Sequence, residues 1–273
     1  MAILNEYFTL ANGVKIPKLA LGTWQITDDE TAYKSVMTAL EYGYRHIDTA
    51  YVYGNEKAVG RAVRNSGLKR DEIFVTSKLP AEIKQAPLAR EHFEKTMDNL
   101  GLDVLDLYLI HAPWPWEEMG KDCTSGNIEV WGVMEEIYNK KGSRSIGVSN
   151  FSPSDLQAVI DNSTITPMVN QIRLFAGNPQ FENCEYCNKH NILVEAYSPF
   201  ATGKLLNNQT LDDLAKKYDV TLTQLCLKYL IQRDILPLPK STHAEYIKAN
   251  ADLDGFVISD ADMELLNSLK FDI

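Results

Sequence analysis

"HIDTAYVYGNE", residues 46–56, is the stretch on which the fold turns. A short apolar run ends in Asp48, and Tyr53 follows five residues later, where a strand hands over to a helix. The same hand-over recurs along the chain. The runs "LALGTW", "HIDTA", "IFVTSKL", "LDLYLIH", "RSIGVSN", "MVNQI", "LVEAYSP" and "ILPLPK" total eight, with helically spaced segments between them. Tyr33, Val36, Met37 and Leu40 share one helix face, as do Ala89, Phe93, Met97 and Leu100, and Leu156, Val159 and Ile160. Strands apolar on both faces, alternating with helices, predict a parallel sheet covered by helices. Eight such units predict an α/β fold, a (β/α)8 TIM barrel occupying residues 1–273 as a single domain. "FTLANGVKIP", alternating around Asn12-Gly13, predicts an N-terminal β-hairpin cap, and an extra C-terminal helix is expected at about 259–269. Thr27 with Glu30, Ser152 with Asp155 and Thr242 with Glu245 fit helix capping boxes. A doubly wound sheet is disfavoured, because no G-x-G-x-x-G follows the first strand.

Composition narrows the function. The chain is 45% apolar and 23% charged, with 37 acidic and 27 basic residues for a net charge of −10. That charge argues against nucleic acid or an anionic membrane as partner and leaves small anions open to local cations and amides. "MAILNEYFTL" lacks the basic and apolar regions of a signal peptide, and no run approaches the roughly 18 apolar residues of a membrane span. Cys184 and Cys187 form a C-x-x-C without a second ligand pair, so no metal is expected and both sulfurs are read as packing on a helix. Four free thiols without a targeting signal point to the cytoplasm.

Active residues of a (β/α)8 barrel project from the C-terminal ends of its strands. There the second run delivers Asp48 with Tyr53 beyond it, the third Lys78 and the fourth His111. Taken singly, each has a structural explanation: an ion pair, a core histidine or a packing tyrosine. Together they suit proton donation to a developing alkoxide, an effect of about 10²–10⁴-fold. An ammonium about 4 Å from a phenol favours the phenolate by up to about 4 kcal/mol at a dielectric of about 20. Lys78 is therefore expected to lower the Tyr53 pKa by as much as roughly three pH units, against desolvation. Asp48 would keep Lys78 charged, and His111 would orient the carbonyl oxygen.

The chain resembles the aldo-keto reductases essentially from end to end. The resemblance rests on "LALGTW" (19–24), "HIDTAYVYGNE" (46–56), "FVTSKL" (74–79), "LIH" (109–111), "IGVSNF" (146–151), "NQI" (170–172), "AYSP" (196–199) and "LPKS" (238–241), in this order and spacing. It implies a catalytic tetrad of Asp48, Tyr53, Lys78 and His111, with Tyr53 as proton donor, and a nicotinamide cofactor across the barrel mouth. Ser149, Asn150 and Gln171 are implied to bind the carboxamide and Tyr197 to stack on the nicotinamide. Ser198 and the backbone around Gly203 should approach the pyrophosphate. Lys240, Ser241, Thr242, Tyr246 and Asn250 mark the adenosine end, and NADP is implied as the cofactor, with NADPH preferred and NADH left open. Tyr246 and Ala249 replace the usual arginine and glutamate, so discrimination against NADH should be weakened.

The substrate side departs further from the family. Ala112 and Pro80 stand where tryptophans are common, and "NQIRLFAGNPQ" replaces the commoner "NQxExHP". Trp24, Val52, Ala112 and Trp114 are expected at the substrate pocket, with Tyr51 and Trp116 near it. The short tail predicts an open site. The expectation is an NADPH-dependent reductase of small aldehydes and ketones, a monomer or weak homo-oligomer. The alternative is a catalytically silent nicotinamide-binding regulatory or structural protein of the same fold, since fold does not imply activity. A barrel hydrolase would need a second acid at the rim.

Overall fold

A computed structural model describes residues 1–271. An antiparallel hairpin, β1 (Tyr7–Thr9) and β2 (Lys15–Pro17), opens the chain. Its turn closes with Gly13 N donating to Leu10 O, and Gly13 takes the left-handed backbone (φ +84°) that glycine tolerates. Eight parallel strands follow: β3 (Leu21–Gly22), β4 (His46–Asp48), β5 (Phe74–Leu79), β6 (Leu107–Ile110), β7 (Ile146–Ser149), β8 (Val169–Arg173), β9 (Leu193–Tyr197) and β10 (Leu236–Leu238). Each coincides with one of the eight apolar runs. The sheet closes on itself where Ala20 N donates to Pro237 O (3.3 Å) and Gly22 N to Pro239 O (2.9 Å). A Cβ at Gly22 would meet Leu238 O at 3.1 Å, so a larger residue there would press on this seam. The result is a (β/α)8 barrel.

The helices are α1 (Asp29–Glu41), α2 (Glu56–Asn65), α3 (Ala86–Leu100), α4 (Thr124–Asn139), α5 (Pro153–Asp161), α6 (Phe181–Lys189), α7 (Gln209–Lys217), α8 (Leu222–Ile231), α9 (Ala244–Asn250) and α10 (Asp260–Ser268). Between β9 and β10 the chain makes two helices rather than one. Thr221 starts the second with a capping box to Gln224. Val36, Leu40, Ala89, Leu100, Leu156 and Val159 are buried against the strands, as their spacing predicts. Of the three expected capping boxes, Ser152–Asp155 forms. At α1 the cap moves one residue, because the Asp28 carboxylate accepts from Thr31 N at 2.8 Å. At α9 His243 takes the cap position without a side-chain bond, because Ser241 Oγ accepts His243 N at 3.1 Å and delays the helix. The C-terminal helix α10 is tied to the barrel by Lys217–Asp262 (2.7 Å) and by Tyr229 OH donating to Asn267 Oδ1 (2.8 Å).

The hairpin sits under the N-terminal ends of the strands: Asn12 Nδ2 donates to Arg144 O (2.9 Å), just before β7. That leaves the C-terminal ends open to build a site. Cys184 and Cys187 both lie on α6, unlinked, and Asn170 Nδ2 approaches Cys187 Sγ at 3.7 Å. Among the described residues no cluster could hold a metal ion, and no helix is long and apolar enough to cross a membrane.

Candidate active site

Three strand ends and one turn converge on the floor of the mouth. β4 ends in Asp48, β5 carries Lys78 as its penultimate residue, and His111 follows β6 directly. Tyr53 comes from a one-turn helix, Tyr51–Tyr53, that stops at Gly54 (φ 72°). The next residue, Asn55, pins this turn. Its amide donates to Thr23 O and Ile26 O (both 3.0 Å) and its oxygen accepts from Thr49 Oγ1 (2.7 Å). Glu56 is buried and accepts from Ser77 Oγ (2.6 Å) and Asn99 Nδ2 (2.9 Å). The "GNE" of the opening stretch therefore holds the phenol in place.

Lys78 is fully buried, and its Nζ donates to Asp48 Oδ1 (2.6 Å) and Thr49 O (2.8 Å). Nζ lies 5.1 Å from the centroid of the Tyr53 ring, and that ring meets His111 edge-on at 5.6 Å. Below, Gln171 Nε2 donates to Asp48 Oδ2 and to Glu195 Oε2, both at 2.8 Å. The network is thus Glu195–Gln171–Asp48–Lys78, ending beside Tyr53.

Burial works to discharge Lys78, but Asp48, Tyr53 and Glu195 hold its amine above the usual lysine range. Burial, then the Lys78 charge, pushes His111 well below the usual imidazole range, so it is neutral. Its Nδ1 is buried without a partner while the ring borders the cavity, so a proton on the other ring nitrogen leaves no buried N–H unpaired. For Tyr53 the expected direction is reversed. Burial raises its pKa and outweighs the lowering by Lys78, and Asp48 adds to the rise. Lys78 does acidify the phenol, but burial of the ring is the larger effect and the Asp48 charge works on the same side as burial. The phenol therefore stays protonated. Burial also lifts Glu195 to about 8, with Asp48 adding to the rise and Gln171 and Lys78 opposing it.

Above this floor lies a cavity of about 900 Å³. Asp48, Tyr53, His111, Ser149, Asn150, Gln171, Tyr197, Ser198, Gly203 and Lys240 line it, as do Trp24 and Val52. Ser149 Oγ donates to Gln171 O (2.8 Å), Asn150 Nδ2 to His111 O (3.0 Å), and Tyr197 OH to Asn150 Oδ1 (2.8 Å). Asn150, Ser198, Ala201, Thr202 and Gly203 all have positive φ, so the backbone over this wall is sharply folded.

Other expected residues lie elsewhere. Ala112 is fully buried outside the cavity, and its carbonyl accepts from Lys84 Nζ (2.9 Å). Trp114 packs on Trp116 (5.2 Å), and it is Trp116 that reaches the cavity, edge-on to His111 at 5.5 Å. Ser241, Thr242, Tyr246 and Asn250 lie beyond the cavity; Ser241 and Asn250 are buried, and Tyr246 is 57% exposed. Gln25, Thr27, Arg173, Phe200 and Leu206 also line the wall and were not expected there. Arg173 and Glu195 were findable by strand periodicity. Arg173 is two residues past Gln171, and Glu195 two before Tyr197, on the same strand faces.

A family profile described as "Aldo/keto reductase family" matches residues 18–270. A glyoxal reductase of Bacillus subtilis is 37% identical over 269 residues, spanning 98% of this chain and 94% of the relative. The crystal structure of an aldo/keto reductase from Brucella melitensis superposes with a TM-score of 0.90 at 36% identity, covering 97% of this chain and 99% of the other. That of a Bombyx mori aldo-keto reductase in complex with NADP does so with a TM-score of 0.86 at 34% identity, covering 96% and 92%.

Proposed function

The chain belongs to the aldo/keto reductase family of oxidoreductases, and from that premise we propose that it reduces small aldehydes and ketones with NADPH, Tyr53 giving the proton. One observation carries the reading: a buried, charged Lys78, held by Asp48, stands beside a protonated phenol on the floor of an open cavity.

The donor set fits a nicotinamide dinucleotide. At one end are a hydroxyl and amides from Ser149, Asn150 and Gln171 beside the Tyr197 ring, then the folded backbone from Ser198 to Gly203, then Lys240. When bound, NADPH supplies the hydride that reaches the carbonyl carbon. The N–H of neutral His111 holds the carbonyl oxygen. As negative charge grows on that oxygen, Tyr53 passes its phenolic proton to it. Lys78 then stabilises the phenolate left behind, and Asp48 with Gln171 keeps the amine aimed. A phenol kept protonated by burial is the competent form of this acid at neutral pH. A substrate that fills the cavity desolvates the ring further and strengthens the Lys78 interaction. With no arginine at Tyr246, NADH is read as a second, poorer cofactor. The barrel is read as one unit acting in the cytoplasm, alone or as a weak homo-oligomer.

The test is hydride delivery. Incubation of the protein with stereospecifically deuterated NADPH and an aldehyde panel should give an alcohol carrying deuterium at the former carbonyl carbon. Fluorescence quenching of NADPH with no oxidation across the panel would instead establish a nicotinamide-binding protein without turnover.

A further inference from the structure

Among the described residues, Arg173 is the arginine whose guanidinium has no polar partner. Every other arginine donates at least one hydrogen bond to a carboxylate, carbonyl or hydroxyl oxygen. Among the described residues the Arg173 guanidinium makes no ion pair and donates no hydrogen bond; it leans on the Phe175 ring at 5.2 Å. Yet it is half-buried, at the end of β8, and lines the same cavity as Tyr53 and His111. A half-buried guanidinium keeps five donors in a planar fork, which matches a carboxylate bidentately.

Position separates this cation from the cofactor phosphates. Tyr197 is in register with Arg173 of β8 on one side and with Leu238 of β10 on the other. Lys240, the other rim cation of the cavity, lies two residues past Leu238. The two cations therefore flank Tyr197. In the proposed reading the dinucleotide runs from Tyr197 towards Lys240, which leaves Arg173 on the opposite flank, beside the nicotinamide end. We propose that Arg173 is a substrate-recognition residue, and that the preferred substrates are aldehydes or ketones bearing a carboxylate. This inference rests on the reductase reading above and adds a substrate class to it.

A matched pair of aldehydes tests it: para-carboxybenzaldehyde and the methyl ester of the same acid, assayed by NADPH oxidation. The wild-type protein should favour the acid in kcat/KM by at least about tenfold. Arg173→Gln should reduce kcat/KM for the acid by about 10–100-fold relative to the ester, through KM. Arg173→Lys should restore part of the preference as a point charge. The Kd for NADPH, read by fluorescence quenching, should move less than about threefold. Equal losses on acid and ester, or a wild type indifferent to the carboxylate, overturns the inference and leaves the reductase reading intact. A weakened NADPH Kd with an unchanged acid-to-ester ratio assigns Arg173 to the cofactor and also overturns it. A separate arm does not need turnover. Calorimetric binding of para-(hydroxymethyl)benzoate, with and without NADP, should weaken at least about tenfold in Arg173→Gln, and unchanged binding refutes the site. Absence of any NADPH oxidation defeats the reductase reading, and the calorimetric arm then decides the carboxylate site alone.

Discussion

Asp106 lies just before β6, at the closed end of the barrel, and Asp48 ends β4, at the open end; both carboxylates are buried. Asp106 accepts from Arg70 Nη2 (2.6 Å), Arg144 Nη1 (2.7 Å) and Val75 N (2.9 Å). Both arginines reach it from the surface with their stems partly in water. Asp48 is paired with a lysine that sees no water at all, and the pair borders a cavity. At the closed end both oxygens of the carboxylate are taken up by two arginines and a backbone amide, and these bonds hold β5, β6 and the approach to β7 together. At the open end the ion pair leaves one group beside it, the Tyr53 phenol, free to act on something that enters. The same residue types serve stability at one end and chemistry at the other, and the neighbours decide which.

The sharpest way to break that contrast is to exchange the phenol. Tyr53→Phe should reduce kcat for a good aldehyde by about 10²–10⁴-fold while NADPH binding and urea stability stay close to wild type. Near-normal turnover in this variant would falsify the assignment of Tyr53 as the acid. The reverse pattern is expected at the closed end. Asp106→Ala strands two arginines and the Val75 amide, and should cost about 3 kcal/mol in a urea titration. The figure sits at the low end for buried pairs because Arg70 and Arg144 can turn to solvent. Its kcat, measured well below the melting temperature, should stay within about twofold, and a large loss would mean that the two ends are coupled.

Glu195 sharpens the contrast, because it sits under the open end as an acid without a cation of its own. Its folded pKa of about 8 lies above the usual carboxylate value. The folded protein then holds a proton that the unfolded chain gives up. Stability from this group is complete below about pH 4.5 and is lost as pH rises towards about 8. Glu195→Gln keeps the shape and removes the titration. Its stability advantage over wild type should grow by about 2 kcal/mol between pH 6 and 8, read from urea midpoints. Parallel pH profiles for the two proteins would show that Glu195 is ionised throughout.

How much of this was legible beforehand follows from what each feature depends on. The eight strands were readable because burial on both faces leaves largely apolar runs, unbroken in "LYLI" of β6. The helix starts were less so. Asp28 outcompetes Thr27 for one amide, a choice between neighbours that a spacing rule does not make. Asp48, Tyr53, Lys78 and His111 were visible because each stands at or just past a strand end. The direction of the Tyr53 shift was not, since it depends on how far burial of the ring outweighs the Lys78 charge. Trp114 and Trp116 show the limit of spacing in a loop. They are two residues apart, yet Trp116 alone of the two lines the cavity.

The smallest effect is expected at the far edge of the cavity, where Lys240 is exposed rather than locked in a network. An exposed cation facing a phosphate contributes about 1 kcal/mol and is screened by salt. Lys240→Met should therefore weaken NADPH about fivefold in fluorescence titrations at low salt, weaken NADH less, and lose most of its effect at high ionic strength. Tyr246, on exposed α9, occupies the place where the family resemblance leads one to expect an arginine. Tyr246→Arg adds a second fork for a phosphate at the same edge and should raise the NADPH-over-NADH ratio of kcat/KM by about tenfold. Because this edge shares no hydrogen bond with the Asp48–Lys78 pair, the two substitutions should combine additively with Tyr53→Phe in cofactor affinity. Strong non-additivity would mean that the cofactor edge and the floor are one cooperative unit, and the division between a rigid floor and an adjustable rim would fail.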